Sequence, residues 1–201
     1  MNMIDYMKSR RGALANANFL ILAILISVVL NFFLAFSYVN KADRLIHNNQ
    51  FLGPDSWVSE FKASDSYYKS WGMYFASLIG NITPATVNFN MDTIKIYLSP
   101  AVYTRVVEDM NLQAKAIKDD GVVLRFETRS AMYEPSTKKV FVLGFRYSKG
   151  AGGNETREPA VYEFLMTIAN YAPSIEAIDT YVGEPHDEAY EAAQEAKKGK
   201  K

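Results

Sequence analysis

The sequence predicts an α+β protein: a single membrane-crossing helix, then one domain in which three helices precede and cover a four-stranded antiparallel sheet. Three observations predict it. Gly12 to Asn40 carry no charged side chain. The apolar period changes from near 3.6 to near 2 at about Gly121 and stays there through the rest of the patterned chain. The chain has no cysteine, so stability must come from a hydrophobic core rather than from cross-links. A length of 201 residues with 49% hydrophobic content, part of it in the span, suits one core and not two.

Inside the charge-free window, residues 19–39 read FLILAILISVVLNFFLAFSYV, about the ~20 residues that a bilayer's hydrocarbon core demands of a helix. A buried helix of a globular protein rarely stays apolar on every face over that length. A cleavable signal peptide would also open on basic residues, here Lys8, Arg10 and Arg11. Its apolar region needs only ~7–15 residues, however, and no small-x-small site closes this one, so a signal anchor over 17–39 is the better reading. Phe19, Leu22, Leu25, Val29, Phe32, Phe33 and Phe36 are the membrane-anchoring side chains. Lys8, Arg10 and Arg11 precede the span, whereas Lys41 and Arg44 follow it with Asp43 between them. That bias puts residues 1–16 in the cytoplasm and the carboxy-terminal domain across the membrane. Asn31 is a carboxamide inside the span, costly in hydrocarbon unless it finds a partner; it is either tolerated near the far interface or an association residue between helices.

Residues 40–63 are weakly patterned and broken by Gly53 and Pro54, a stalk with a first strand or loop. The compact domain is expected over 64–184. Ser64 or Asp65 offers an N-cap, after which Tyr68, Trp71, Phe75, Leu78, Ile79 and Ile82 recur at helical spacing and Gly80 and Asn81 suit the end. Thr83 followed by Pro84 starts a second helix in cap-then-proline order, with Val87, Met91, Ile94 and Leu98 as its buried stripe. Ser99 and Pro100 repeat the signal for a third, carrying Tyr103, Val106, Val107, Met110, Ala114 and Ile117 and stopping before Asp119, Asp120 and Gly121.

Alternation then takes over. Leu124, Phe126 and Thr128 oppose Arg125, Glu127 and Arg129 in a strand over 122–133. A second, central strand over 139–148 puts Phe141, Leu143, Phe145 and Tyr147 on one face and Val140, Val142 and Gly144 on the other. The glycine-rich 149–156 reads as a hairpin loop, 159–170 as a third strand, Ala172 to Ser174 as a turn and 175–183 as a fourth strand. Residues 185–201 have almost nothing apolar to bury and read as a flexible charged tail ending in lysines, with contact to a partner or lipid as the functional alternative.

Composition narrows the chemistry. With 22 basic and 22 acidic residues the net charge is zero, so no broad field recommends direct nucleic-acid binding. His47 and His186 are the only histidines and neither has a ligand-spaced neighbour, so no metal site is expected. Asp119 and Asp120 beside Gly121 suggest a cation loop, yet VVLRF follows and supplies no further oxygen side chain; helix-stop chemistry explains them better. In KGAGG at 149–153 the lysine precedes its glycines and a strand follows, which excludes a P-loop. Catalysis needs a titratable group shifted by burial or a neighbour, and every placed Asp and Glu falls on an exposed face, loop or cap. No catalytic residue and no cofactor is therefore expected. The rival readings are a membrane-anchored module for cell wall or a small ligand, which Trp57, Tyr67, Tyr68, Trp71 and Tyr74 would permit, and an enzyme using a pocket of this fold.

One charge-free span behind a short basic start, YFASLIGNITPATV at Tyr74 to Val87, the LSP at Leu98 to Pro100, Tyr162 in the third strand and IDTYVGE at Ile178 to Glu184 together resemble the TraE family, bitopic inner-membrane subunits of F-type conjugative type IV secretion systems. The resemblance covers nearly the whole chain apart from the tail. It implies a periplasmic domain of the NTF2-like type, with helices in the concavity of a curved sheet. It also implies a scaffold role in plasmid transfer, with partners among other copies of itself, other secretion subunits and inner-membrane lipid. Relatives often carry Asn-Pro-x-Gly before the last strand; here Tyr171, Ala172, Pro173 and Ser174 stand there.

Overall fold

The computed structural model describes residues 3–39, 45–46, 55–190 and 192. The chain forms two compact units, residues 1–43 and 44–201.

The first unit is α1 (Met3–Val39), 37 residues long, within which Ala17–Ser37 is long and apolar enough to cross a membrane. Residues 3–16, expected as a segment ahead of the span, are already helical. The seven anchoring side chains are between 56% (Leu22) and 73% (Phe32) exposed, all round the helix. A helix apolar on every face over that length is stable in hydrocarbon and not in water.

The second unit begins with two short paired strands, β1 (Leu45–Ile46) and β2 (Trp57–Val58). Most of the expected stalk, residues 40–44 and 47–54, lies outside the described residues, and His47 with it. Val58 is fully buried, so the core takes in side chains from a stretch read as stalk. α2 (Asp65–Gly80) follows, and Ser64 is its cap: the hydroxyl accepts from the Tyr67 N–H at 3.3 Å and from the Trp57 N–H at 3.1 Å, tying strand to helix.

The second helix starts later than the cap-then-proline signal suggests. Thr83 and Thr86 exchange hydrogen bonds, each hydroxyl accepting the other's N–H, so Pro84 sits in a turn and α3 is Val87–Lys95. Leu98, expected on its stripe, lies past its end and bridges to Ile175. α4 (Tyr103–Asp119) starts after another turn, and Ser99 does not cap it; its hydroxyl donates to Glu176 at 2.6 Å. The Asp119–Gly121 stop holds, with Gly121 at φ 61°.

β3 (Val123–Glu134), β4 (Lys139–Lys149), β5 (Glu155–Ala169) and β6 (Ala172–Tyr181) form an antiparallel meander in chain order. β5 starts four residues earlier than predicted because Lys149 pairs with Glu155, which shortens the glycine-rich loop. The last turn is Asn170–Tyr171, both left-handed (φ 51° and 65°), rather than Ala172–Ser174. Two left-handed residues match the twist of a tight hairpin, and Pro173 is tolerated inside β6 because β6 is an edge strand. In β3 the register slips between Thr128 and Ser130, so Arg129 is a bulge. Leu124 and Phe126 face the helices before it, Ala131 and Tyr133 after it.

The core lies between the helices and one sheet face: Phe75, Val87 and Ile94 against Val140, Val142, Tyr162, Phe164, Met166 and Ile175. Gly72 sits where an added Cβ would lie 2.4 Å from Val140 Cγ1, which is how α2 approaches β4 so closely.

Candidate functional site

Two places hold more than packing requires. The first is a cavity of about 410 Å³ between the helical layer and β6. Ile82, Met91, Ile94 and Met110 form its apolar wall, and Arg105, Asp109, Gln113, Asp179 and Thr180 its polar rim. The end of α2 is held against α3 beside it because Asn90, 9% exposed, donates to the carbonyls of Leu78 and Asn81, each at 3.0 Å. Asn81 in turn accepts the Phe126 N–H at 3.1 Å. The charged rim groups Arg105, Asp109 and Asp179 are exposed. Such a cavity can hold an apolar guest under a polar edge.

The groups whose protonation burial does perturb are tyrosines. Desolvation raises Tyr67, Tyr68 and Tyr162, and for Tyr68 the stacked ring of Tyr133, 4.2 Å away, adds to it. These phenols are held neutral and packed, which is a structural role. Among the described residues no three His, Cys, Asp or Glu side chains gather as metal ligands would.

The second place is the sheet face turned away from the helices. Since Val140 and Val142 join the core, Phe141, Leu143, Phe145 and Tyr147 point outward. Arginines lie over this strip: Arg125 Cζ is 3.8 Å from the Tyr147 ring centre and Arg157 Cζ 3.7 Å from that of Phe145. Arg125 also bonds the Glu127 carboxylate, and this contact, followed by the Tyr147 hydroxyl at 3.0 Å, holds Glu127 below its usual range.

At the other end of the strip the chain crosses its own sheet. Tyr181 at the end of β6 donates its hydroxyl to Glu163 at 2.8 Å and accepts the His186 N–H at 2.9 Å, while the His186 ring stacks on Tyr181 at 4.1 Å and on Tyr190 at 4.5 Å. Lys139 pairs with Glu163 at 3.0 Å, and the Glu188 N–H reaches Glu134 on β3 at 3.1 Å. A segment fixed to β6 at one end and β3 at the other must pass over β5 and β4, roughly 14 Å at ~4.8 Å per strand. Phe141, the register partner of Glu163, is fully buried there. The first residues of the predicted flexible tail are therefore a packed strap. Residues 191 and 193–201, with the terminal lysines, lie outside the described residues.

Of the residues singled out from the sequence, Asn31 donates to the Ser27 carbonyl of its own helix at 2.8 Å, and His186 joins the strap. The glycine loop is closed by a Gly153 N–H to Gly150 carbonyl bond of 3.0 Å. The outer-face site escaped sequence reading, although one signal was present: a half-exposed sheet should show a polar outer face, and Phe141, Leu143, Phe145 and Tyr147 are not polar.

One helix long and apolar enough to cross a membrane, followed by an NTF2-like domain of three helices laid on a four-stranded antiparallel meander, is the class of protein that this architecture defines. The family model for TraE protein matches residues 1–180, and the chain belongs to that family. Its fold is similar to a TrwG component of the type IV secretion system of Bartonella birtlesii (TM-score 0.53, 11% identity, 64% of this chain and 99% of that one). It is also similar to the periplasmic domain of DotI (TM-score 0.50, 12% identity, 60% of this chain and 96% of that one). A comparison with curated proteins found no match.

Proposed function

We propose that this chain is a non-catalytic assembly subunit of the inner-membrane complex of a conjugative type IV secretion system, linking membrane and periplasmic parts of the channel for plasmid DNA transfer. One observation carries the reading: membership of the TraE family over 1–180 in a chain whose single anchor is joined to a domain with apolar and aromatic surface on both layers. Residues 1–16 lie in the cytoplasm, 17–39 cross the bilayer, 40–63 set the height of the domain, and 64–184 work in the periplasm. Its partners are other copies of itself, other secretion subunits and inner-membrane lipid, with no direct hold on nucleic acid. Weak contacts suffice, because copies fixed in one membrane meet at a high effective concentration.

Asn31 spends one amide hydrogen on Ser27 and keeps its oxygen for a neighbouring helix, which suits association inside the bilayer. The test is deletion of Phe19 to Val39. A folded soluble domain that no longer joins the complex supports the reading, and retained assembly of that fragment overturns it. Unchanged oligomerisation of Asn31→Leu would remove Asn31 as an association residue.

A further inference from the structure

We infer that the strap over the outer sheet face, residues 182–190, is exchanged between copies of this chain, each copy's strap seating on its neighbour's sheet. The inference rests on the homo-oligomer proposed above and names the surface that forms it.

Seat and strap are both present on every copy. The seat is Tyr181, Glu163 and Lys139 around Phe141, with Glu134 at the far edge; the strap brings His186, Tyr190 and the Glu188 N–H. A surface that fits a segment of its own chain fits the same segment of another copy equally well, so exchange needs no new interface. The two-fold result is closed, with each strap answered by a strap.

The strap is also separable. The family match covers residues 1–180 and stops short of the strap. The helix-side core is built without it. Its junction with β6 is Gly183 at φ 124°, a backbone position that side-chain-bearing residues rarely adopt, and an added Cβ there would meet nothing within 4 Å. A glycine at the base of a segment held by one ring stack and a few hydrogen bonds is a hinge about which the segment can swing outward. Opening parts the stacked rings of Tyr181 and His186, which favours prompt re-stacking with whichever strap is nearest. Copies anchored in one bilayer keep a second strap close.

The absence of cysteine allows a direct test in the full-length chain. Ser136 in the β3–β4 turn and Glu188 in the strap are both exposed. Two differently tagged copies, one Ser136→Cys and the other Glu188→Cys, are co-expressed, purified in detergent and treated with a short bismaleimide. Exchange predicts a covalent heterodimer carrying both tags, lost when the Glu188→Cys copy also carries His186→Ala and Tyr190→Ala with its circular dichroism unchanged. Co-purification of the two tags without that heterodimer, while a doubly substituted chain links only within itself, overturns exchange and leaves the oligomer standing. Failure of the tags to co-purify at all overturns both.

Discussion

Gly144 shows how narrowly single positions are set. A Cβ there would lie 2.1 Å from the Glu127 carbonyl oxygen and 2.7 Å from the Phe126 ring, two groups that belong to the neighbouring strand and its core residue. Neither can move without disturbing the β3–β4 pairing. Gly144→Ala should therefore lower stability by about 1–3 kcal/mol, read from the urea midpoint, whereas Gly152→Ala, with nothing within 4 Å of the new methyl, should stay within about 0.5 kcal/mol. Equal midpoints would refute the close-approach argument. Asn90 is the polar counterpart. Its amide closes two carbonyls at the end of α2, and Asn90→Ala leaves both in a site too covered for easy hydration, at a cost of about 1–3 kcal/mol. Asn90→Asp should be at least as damaging, because a carboxylate facing two carbonyls can donate to neither.

Among the elements, β3 carries the instructive irregularity. Its predicted alternation runs true as far as Thr128, and then Arg129 bulges out, so that Tyr133 reaches the helices and stacks on Tyr68 at 4.2 Å. Deleting Arg129 alone would leave Thr128 opposite Gly144 and Ser130 opposite Leu143 as plain neighbours and keep Ala131 and Tyr133 on the helix face, whereas deleting Arg129 and Ser130 together removes a paired position as well and turns both to the wrong face, a one-residue slip that exchanges inside for outside. The double deletion should abolish the near-ultraviolet dichroism of the packed tyrosines and the cooperative unfolding transition, while deletion of Arg129 alone, which keeps the pairings on both sides, should retain both. Nothing in the residue types announces that bulge, and the same blindness explains the other departures. Helices α2 and α4 and the central strand β4 were legible because many side chains repeat one period. The last turn was misplaced because Pro173 reads as a turn former until it is known that β6 is an edge, a tertiary fact. β2 is too short to show a period, although Val58 is fully buried. The strap was hidden because its composition is polar and its seat, Tyr181 with Glu163, is assembled from strands distant in sequence.

On the scale of the whole chain, two kinds of apolar surface answer two environments. α1 presents its side chains outward on every face, while the second unit encloses an aromatic-rich core with tyrosines at its margins. Those tyrosines set a limit to the pH at which the fold survives. Burial raises Tyr67, Tyr68, Tyr97, Tyr133, Tyr162 and Tyr181 above the ordinary phenol range, with Glu163 adding to the effect at Tyr181 and Tyr133 at Tyr68. Each group is an acid whose folded pKa exceeds its unfolded value near ~10, so the unfolded chain loses protons first as pH climbs. The stability tied to the neutral phenols is complete below pH ~10 and declines steadily above it. Full-length protein in detergent should accordingly unfold more easily at pH ~11 than at pH ~9, read from the denaturant midpoint of its dichroism. Tyr68→Phe removes one of the most displaced groups and should flatten that decline. Equal resistance to unfolding at the two pH values would show that these hydroxyls reach water in the native fold, contrary to the burial that raises them.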